Sequence, residues 1–251
     1  MTLWETMLTE IVREYETHPQ TFLQQPTISR TVHPGRQGPA LYYFGEMSKD
    51  PFFIETLLPK MQDSSVGAPF RFKLLPQCSP LTVEHVYHLS VMREHFGAFV
   101  PDSDITQIVD IGGGYGNLCR LIHDYGYTGK YTIVDFPEML GIQKTYLEQY
   151  GIKDVCYSTL DDMQRPADVS LLVATFSVNE MPMESRKILE GCYNHFDYLF
   201  FVYNTEFDGI NNIEYFNGLR SALESQFEII HAKNPFQTCW SMACKNKRNL
   251  I

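Results

Sequence analysis

The run Ile108-Val109-Asp110-Ile111-Gly112-Gly113-Gly114-Tyr115-Gly116-Asn117 has the residue types and the spacing of a ligand-binding turn. An apolar stretch that reads as a strand leads into it, and the residues from Asn117 onward read as a helix. Gly112, Gly113, Gly114 and Gly116 have no Cβ, so the backbone can bend sharply there and come close to a bound molecule. Amide donors at the start of the helix suit a ligand carboxylate. Asp110 can hold the turn by accepting backbone amides, and it can attract a ligand ammonium group. The dinucleotide fingerprint GxGxxG, counted from Gly112, needs a third glycine where Asn117 stands, whereas an acidic-x-GxGxG spacing is complete. A glycine-rich turn with no ligand is the competing explanation.

A second anchor is Asp135, at the end of the strand-like Tyr131-Thr132-Ile133-Val134 and about twenty residues past the glycines, where a carboxylate can take both hydroxyls of a ribose. A helix cap ahead of Phe136-Pro137 is the alternative role for this aspartate. Phe136 is then placed against a nucleobase face. After the third expected strand, Leu160 and Met163 can wall a base while Asp161 accepts from its amino group; two adjacent acids, Asp161 and Asp162, are also what a solvated loop carries.

The richest polar cluster is Ala174-Thr175-Phe176-Ser177-Val178-Asn179-Glu180, at the carboxyl end of a central strand, where open α/β sheets bind ligands. Thr175 joins the ligand-facing set, Asn179 is a donor for a second substrate, and Glu180 is the first candidate general base. Asn179 and Glu180 can equally be caps of the next helix. Glu206, in the loop after the fifth strand, is a second candidate base. His88 has the ordinary pKa range for base work, and His85 lies beside it on the helix before the glycine turn. No spacing rule selects a metal site from the acidic residues, and none is expected.

The elements that must carry these groups alternate from residue 105 as short apolar strands and amphipathic helices. Strands are expected at 105–111, 131–135, 155–158, 169–175 and 198–203, and helices at 81–96, 117–125, 138–150, 184–196 and 213–225. Two last strands, 227–232 and 239–244, are separated by too few residues for a crossover and predict an antiparallel hairpin. The expected fold is α/β, a doubly wound seven-stranded mixed sheet.

Residues 1–80 are expected to form a helical and loop-rich amino-terminal appendage, and residues 81–251 the ligand-binding domain. Leu3, Met7, Leu8, Ile11 and Tyr15 fall at helical spacing, followed by a stretch punctuated by Pro34, Gly35, Gly38 and Pro39. Tyr42, Tyr43, Phe44, Phe52 and Phe53 suit a substrate lid, an oligomer contact such as a homodimer's, or simply the appendage's own core. A net charge of -10 argues against a surface that tracks nucleic-acid phosphates. The six cysteines are scattered without a CxxC pair, and no apolar run reaches membrane-spanning length, so a cytoplasmic protein is expected.

Through Val109-Asp110-Ile111-Gly112-Gly113-Gly114-Tyr115-Gly116, the Asp135 strand end and the closing hairpin, the chain resembles class I S-adenosylmethionine-dependent methyltransferases over about residues 81–245. The run Ile111 to Gly116, with Tyr87-His88-Leu89 on the preceding helix, is similar more narrowly to sugar O-methyltransferases, although those often carry glutamate where this chain has Asp110. The resemblance implies a Rossmann-like fold, S-adenosyl-L-methionine as cofactor, and O-methylation of a small hydroxylated acceptor such as a sugar or glycan. N-methylation, protein side-chain methylation, or an inert cofactor-binding scaffold are the alternatives.

Overall fold

The computed structural model describes residues 3–234 and 239–250. The chain divides into two compact units, one of Met1–Val91, Gly114–Tyr127 and Pro137–Lys153, the other of Met92–Gly113, Thr128–Phe136 and Asp154–Ile251.

The second unit holds the sheet. Its strands are β1 (Gln107–Ile111), β2 (Lys130–Val134), β3 (Val155–Ser158), β4 (Ser170–Thr175), β5 (Tyr198–Asn204), a two-stranded excursion β6 (Glu206–Phe207) and β7 (Ile210–Asn211), and the closing pair β8 (Phe227–Lys233) and β9 (Cys239–Asn246). The main sheet has the order β3-β2-β1-β4-β5-β9-β8. The first five named in that order run parallel, and β9 lies antiparallel to both β5 and β8. The seven-stranded mixed sheet and its terminal hairpin are as expected. All five residues of β1 are buried, Gln107 and Asp110 among them, so the strand is covered on both faces and shows no alternation of buried and exposed positions. The order reverses between β1 and β4, so the carboxyl ends of these two strands mark the topological switch point where open sheets of this kind take ligands.

Side chains from one face of the sheet pack with two helices, α7 (Met183–Glu190) and α8 (Asn212–Leu223), in a single apolar cluster. Val109, Leu172, Leu199, Phe201 and Met242 supply the sheet side, and Leu189, Phe216 and Leu219 supply the helices. The Tyr203 ring stacks on Phe216 with centroids 3.7 Å apart. The excursion β6–β7 was not anticipated. Its tip, Asp208-Gly209, takes positive φ at both residues, the primed turn that an Asp-Gly pair favours.

In the first unit, helices α1 (Leu3–Thr17), α2 (Pro26–Arg30) and α3 (Gln37–Met47) precede a π-helical turn at Phe53–Leu57. The long helix α4 (Pro80–Phe96) contributes its residues up to Val91, and α5 (Asn117–Asp124) and α6 (Pro137–Tyr150) complete the unit. Glu14 on α1 accepts from the backbone amides of Thr27 and Ile28, and so satisfies the free donors at the start of α2. The loops between α3 and α4 are ordered by Arg120 of α5, a buried guanidinium bonded to Asp63 at 2.7 Å, to the Gln62 carbonyl at 2.7 Å and to Asp124 at 2.7 Å. Tyr43 and Phe53 are fully buried; Tyr43 stacks on Tyr87 at 4.3 Å, and Phe44 meets Phe53 edge to face. These rings of the aromatic segment serve the unit's own core.

Candidate functional site at the carboxyl ends of the sheet strands

β1 and β2 deliver the two anchors side by side. Ile111 pairs in register with Val134, and the next step beyond each strand brings Gly112 N–H to the Val134 carbonyl at 2.8 Å. Asp135 follows Val134 directly and is half-buried, with its amide held by the Ser158 carbonyl at 3.1 Å. Its Oδ1 accepts the amide of Phe136 at 2.8 Å, which fixes the carboxylate at the mouth of the strand. Phe136 is 43% exposed, an open aromatic face on this rim.

The glycines have separate reasons to be glycine. At Gly112, with φ +72°, an added Cβ would lie 2.4 Å from Cβ of Ser177, so the loop after β4 occupies the space a side chain would need. Ser177 Oγ donates to the Ile111 carbonyl and pins that loop onto the end of β1. At Gly113 a Cβ would meet Ile133 at 2.8 Å. Within the first unit, Gly116 has φ +100° and the Leu147 side chain at 3.2 Å from an added Cβ. Gly114, with φ +59°, has nothing closer than the Val32 carbonyl at 3.8 Å. Crowding by protein thus explains Gly112, Gly113 and Gly116, while Gly114 is a bare turn with room beside it. Tyr115, next to it, is buried between the rings of Phe22, His33 and Tyr146.

Asp110 corrects one expectation. The backbone-amide acceptor read from the sequence is instead a partner of a tyrosine: Tyr131 donates its hydroxyl to Asp110 Oδ2 at 2.8 Å. The carboxyl is buried, and burial pushes its pKa up to about 7; the Tyr131 bond pulls it back and the charge of Asp135 adds to the rise. A carboxyl so placed takes on full charge readily when a cation comes near.

Leu160 is half-buried and packs against the sheet's apolar cluster, whereas Asp161 is exposed and the neighbouring Asp162 bonds Thr159 at 2.8 Å. Thr175 ends β4 and is half-buried. Beyond it Phe176 adopts φ +61°, a conformation uncommon for a large side chain, and the chain enters a short 3-10 turn at Val178–Glu180. Glu180 is half-buried there, and Asn179 is completely buried. His88, in the first unit, is buried on α4; burial pushes its pKa down to about 3, so the ring is neutral and a weak base at pH 7. His85 is lowered as well, by burial first, and meets the Asn117 side chain at 3.0 Å.

Two groups escaped the sequence reading. His33 is fully buried and stacks on Phe70 at 5.9 Å, and Arg186 of α7 braces the loop that carries Asn179. An arginine in an amphipathic helix looks like a solvent-facing residue, and only the tertiary arrangement shows it turned inward.

No family model matches the sequence, and no curated protein sequence is similar to it. Solved structures are similar in shape. An rRNA methylase from Streptococcus thermophilus is 13% identical with a TM-score of 0.48, covering 66% of this chain and 96% of its own. The N-methyltransferase NodS from Bradyrhizobium japonicum, in complex with S-adenosyl-L-homocysteine, is 10% identical with a TM-score of 0.47, over 65% of this chain and 85% of its own. PigF with S-adenosylhomocysteine is 16% identical with a TM-score of 0.46, over 84% and 70%. Five parallel strands with a reversed strand inserted next to the last make the decisive pattern. The fold is the class I methyltransferase fold. Likeness at these identities leaves activity and acceptor to be argued from the residues.

Proposed function

We propose that the chain is an S-adenosyl-L-methionine-dependent methyltransferase that methylates an oxygen of a small hydroxylated acceptor, a sugar or glycan unit among them. The observation that carries this reading is the juxtaposition of the glycine turn with Asp135: Gly112 is bonded to the residue immediately before that carboxylate, at the switch point of the sheet. The cofactor fits the groups present. Asp135 suits the ribose hydroxyls, Phe136 offers a face to adenine, and Leu160 is an apolar wall with Asp161 beyond it.

When bound, S-adenosylmethionine supplies an electrophilic methyl on a sulfonium. What this chain must add is alignment of the acceptor oxygen and removal of its proton, with positioning providing most of the acceleration. Glu180, on the loop after β4, is assigned as the base that takes the hydroxyl proton, and Thr175 lines the approach. Asp110 balances the ligand's ammonium group: approach of that cation favours the ionised carboxylate over the protonated one.

Calorimetry with S-adenosylmethionine, S-adenosylhomocysteine and NAD tests the cofactor, with binding of the first two and none of NAD expected. Asp135→Ala should weaken both adenosyl ligands alike, since they share the ribose. Transfer of labelled methyl to a panel of sugars, polyols and catechols tests the acceptor class; label found only on amines, or on no acceptor, rejects O-methylation.

A further inference from the structure

Beside α8, the sheet carries a group of reachable side chains that can only donate. Tyr203, Trp240 and Lys233 are register partners across β5, β9 and β8, so they share one face, and His231 lies on the same side two residues before Lys233. Tyr203 is fully buried between Phe216 of α8, at 3.7 Å, and His231, at 5.9 Å; the Trp240 ring follows at 5.0 Å from His231. A row of rings thus leads from the core to the half-buried His231 and Trp240. Arg220, one helical turn past Phe216, and Lys233 are both exposed.

The Tyr203 hydroxyl is bonded to His231 Nε2. Burial raises the phenol and lowers the imidazole, and Arg220, the charge acting on each, lowers both; the two rings are neutral at pH 7. A ring nitrogen accepts better than the much less basic phenol oxygen, so the hydroxyl donates and the imidazole proton sits on Nδ1. His231 Nδ1, Trp240 Nε1, the Arg220 guanidinium and the Lys233 ammonium are all donors, and among the described residues none of them has an acceptor. No carboxylate acts on Tyr203 or His231 either, in a chain whose net charge is -10.

We propose that Arg220, His231, Lys233 and Trp240 form a binding site for a phosphate monoester carried on a planar ring. A monoester bears about -1.5 to -2 at pH 7, which the two cations match, whereas a carboxylate would leave one of them over. Its oxygens accept from the donors, and its ring lies on Trp240. The site is distinct from the one proposed for the cofactor: β9 stands three strand spacings, about 14 Å, from β1, whose mouth carries the glycine turn. It holds whether or not the chain transfers methyl groups.

Trp4 and Trp240 are the two tryptophans, so Trp4→Phe leaves Trp240 as the sole emitter and places the reporter in the site. Phenyl phosphate is the probe, compared with inorganic phosphate and benzoate at matched ionic strength, and S-adenosylhomocysteine is present throughout to keep the probe from the glycine turn. A saturable change in Trp240 emission is expected, with phenyl phosphate binding at least tenfold more tightly than either comparison anion. No saturable change, or equal affinity for inorganic phosphate or benzoate, overturns the proposal. Arg220→Gln and Lys233→Gln, each at an exposed position, should each weaken phenyl phosphate at least fivefold while leaving the circular dichroism spectrum as it was. Unchanged affinity in either variant rejects the site as drawn.

Discussion

Tyr131 and Asp110 face each other from adjacent parallel strands, the hydroxyl of one bonded to the carboxyl of the other at 2.8 Å. Because burial raises the Asp110 pKa to about 7, the folded chain keeps a proton there that the unfolded chain has lost. The folded state therefore binds more protons between the ordinary aspartate value and about pH 7, and its stability from this group falls as pH rises through that window, then levels off.

Asp110→Asn should remove that decline. Denaturant melts at pH 5 and pH 8 are expected to differ less in the variant than in the unaltered protein; an equal difference in both shows that Asp110 does not titrate in the window. Glu84, buried on α4 and raised to about 7 by burial, contributes a decline of the same sign that the Asp110 variant keeps.

His33 and His88 work at the acid end. Burial lowers them to about 4 and about 3, so both stay neutral in the fold where free imidazole would be charged. Their contribution is complete above about pH 6.5 and is lost as pH falls toward 4, at roughly 1.4 kcal/mol per pH unit for each residue. His88→Gln should flatten the acid limb of the stability curve measured by urea unfolding between pH 4 and pH 7; an unaltered limb would exclude His88.

Gly112→Ala collides with Ser177 and also places a side chain at φ +72°. A loss of about 2 to 4 kcal/mol is expected from overpacking and the left-handed backbone together. Adding Ser177→Gly should recover the steric part and leave the backbone part of about 1 kcal/mol. A double variant no more stable than Gly112→Ala alone would mean that Ser177 is not what crowds the turn.

Asp63→Asn leaves the buried Arg120 guanidinium short of a counter-charge, at a cost of about 3 to 5 kcal/mol. Asp124, 23% exposed in its side chain and also paired with Arg120, has water to soften its loss, so Asp124→Asn should cost clearly less. Thermal unfolding of the two variants ranks them, and the reverse order would place the anchor of the first unit at Asp124.

The central strands were legible because β1, β4 and β5 are buried over nearly their whole length and carry the apolar stretches Ile108-Val109, Leu171-Leu172-Val173-Ala174 and Leu199-Phe200-Phe201-Val202, and because Gly126 and Gly151, which take positive φ, close the two helices that precede them. The closing hairpin followed from connection length alone. The small β6–β7 turn carried its own sign in Asp208-Gly209, unused because the flanking segments are only two residues long. At the site, the glycines and Asp135 could be placed by spacing, but the reason for each glycine could not: Ser177 is 65 residues from Gly112 in the chain and 2.4 Å from its missing Cβ. Arg186 and His33 were opaque for the same cause, since burial of a polar residue depends on neighbours distant in sequence.

Among the described residues, the position of β8 at the border of the sheet leaves one side of a seven-residue strand without a neighbouring strand. Such a border invites other chains to zip onto it and grow fibrils. Glu228, exposed at one end, and Lys233, exposed at the other, put a charge of each sign along this seam, flanking the exposed Ile230. An approaching strand would have to strip water from both ends to reach the greasy middle. That hindrance guards the molecule against clumping where its ladder stops.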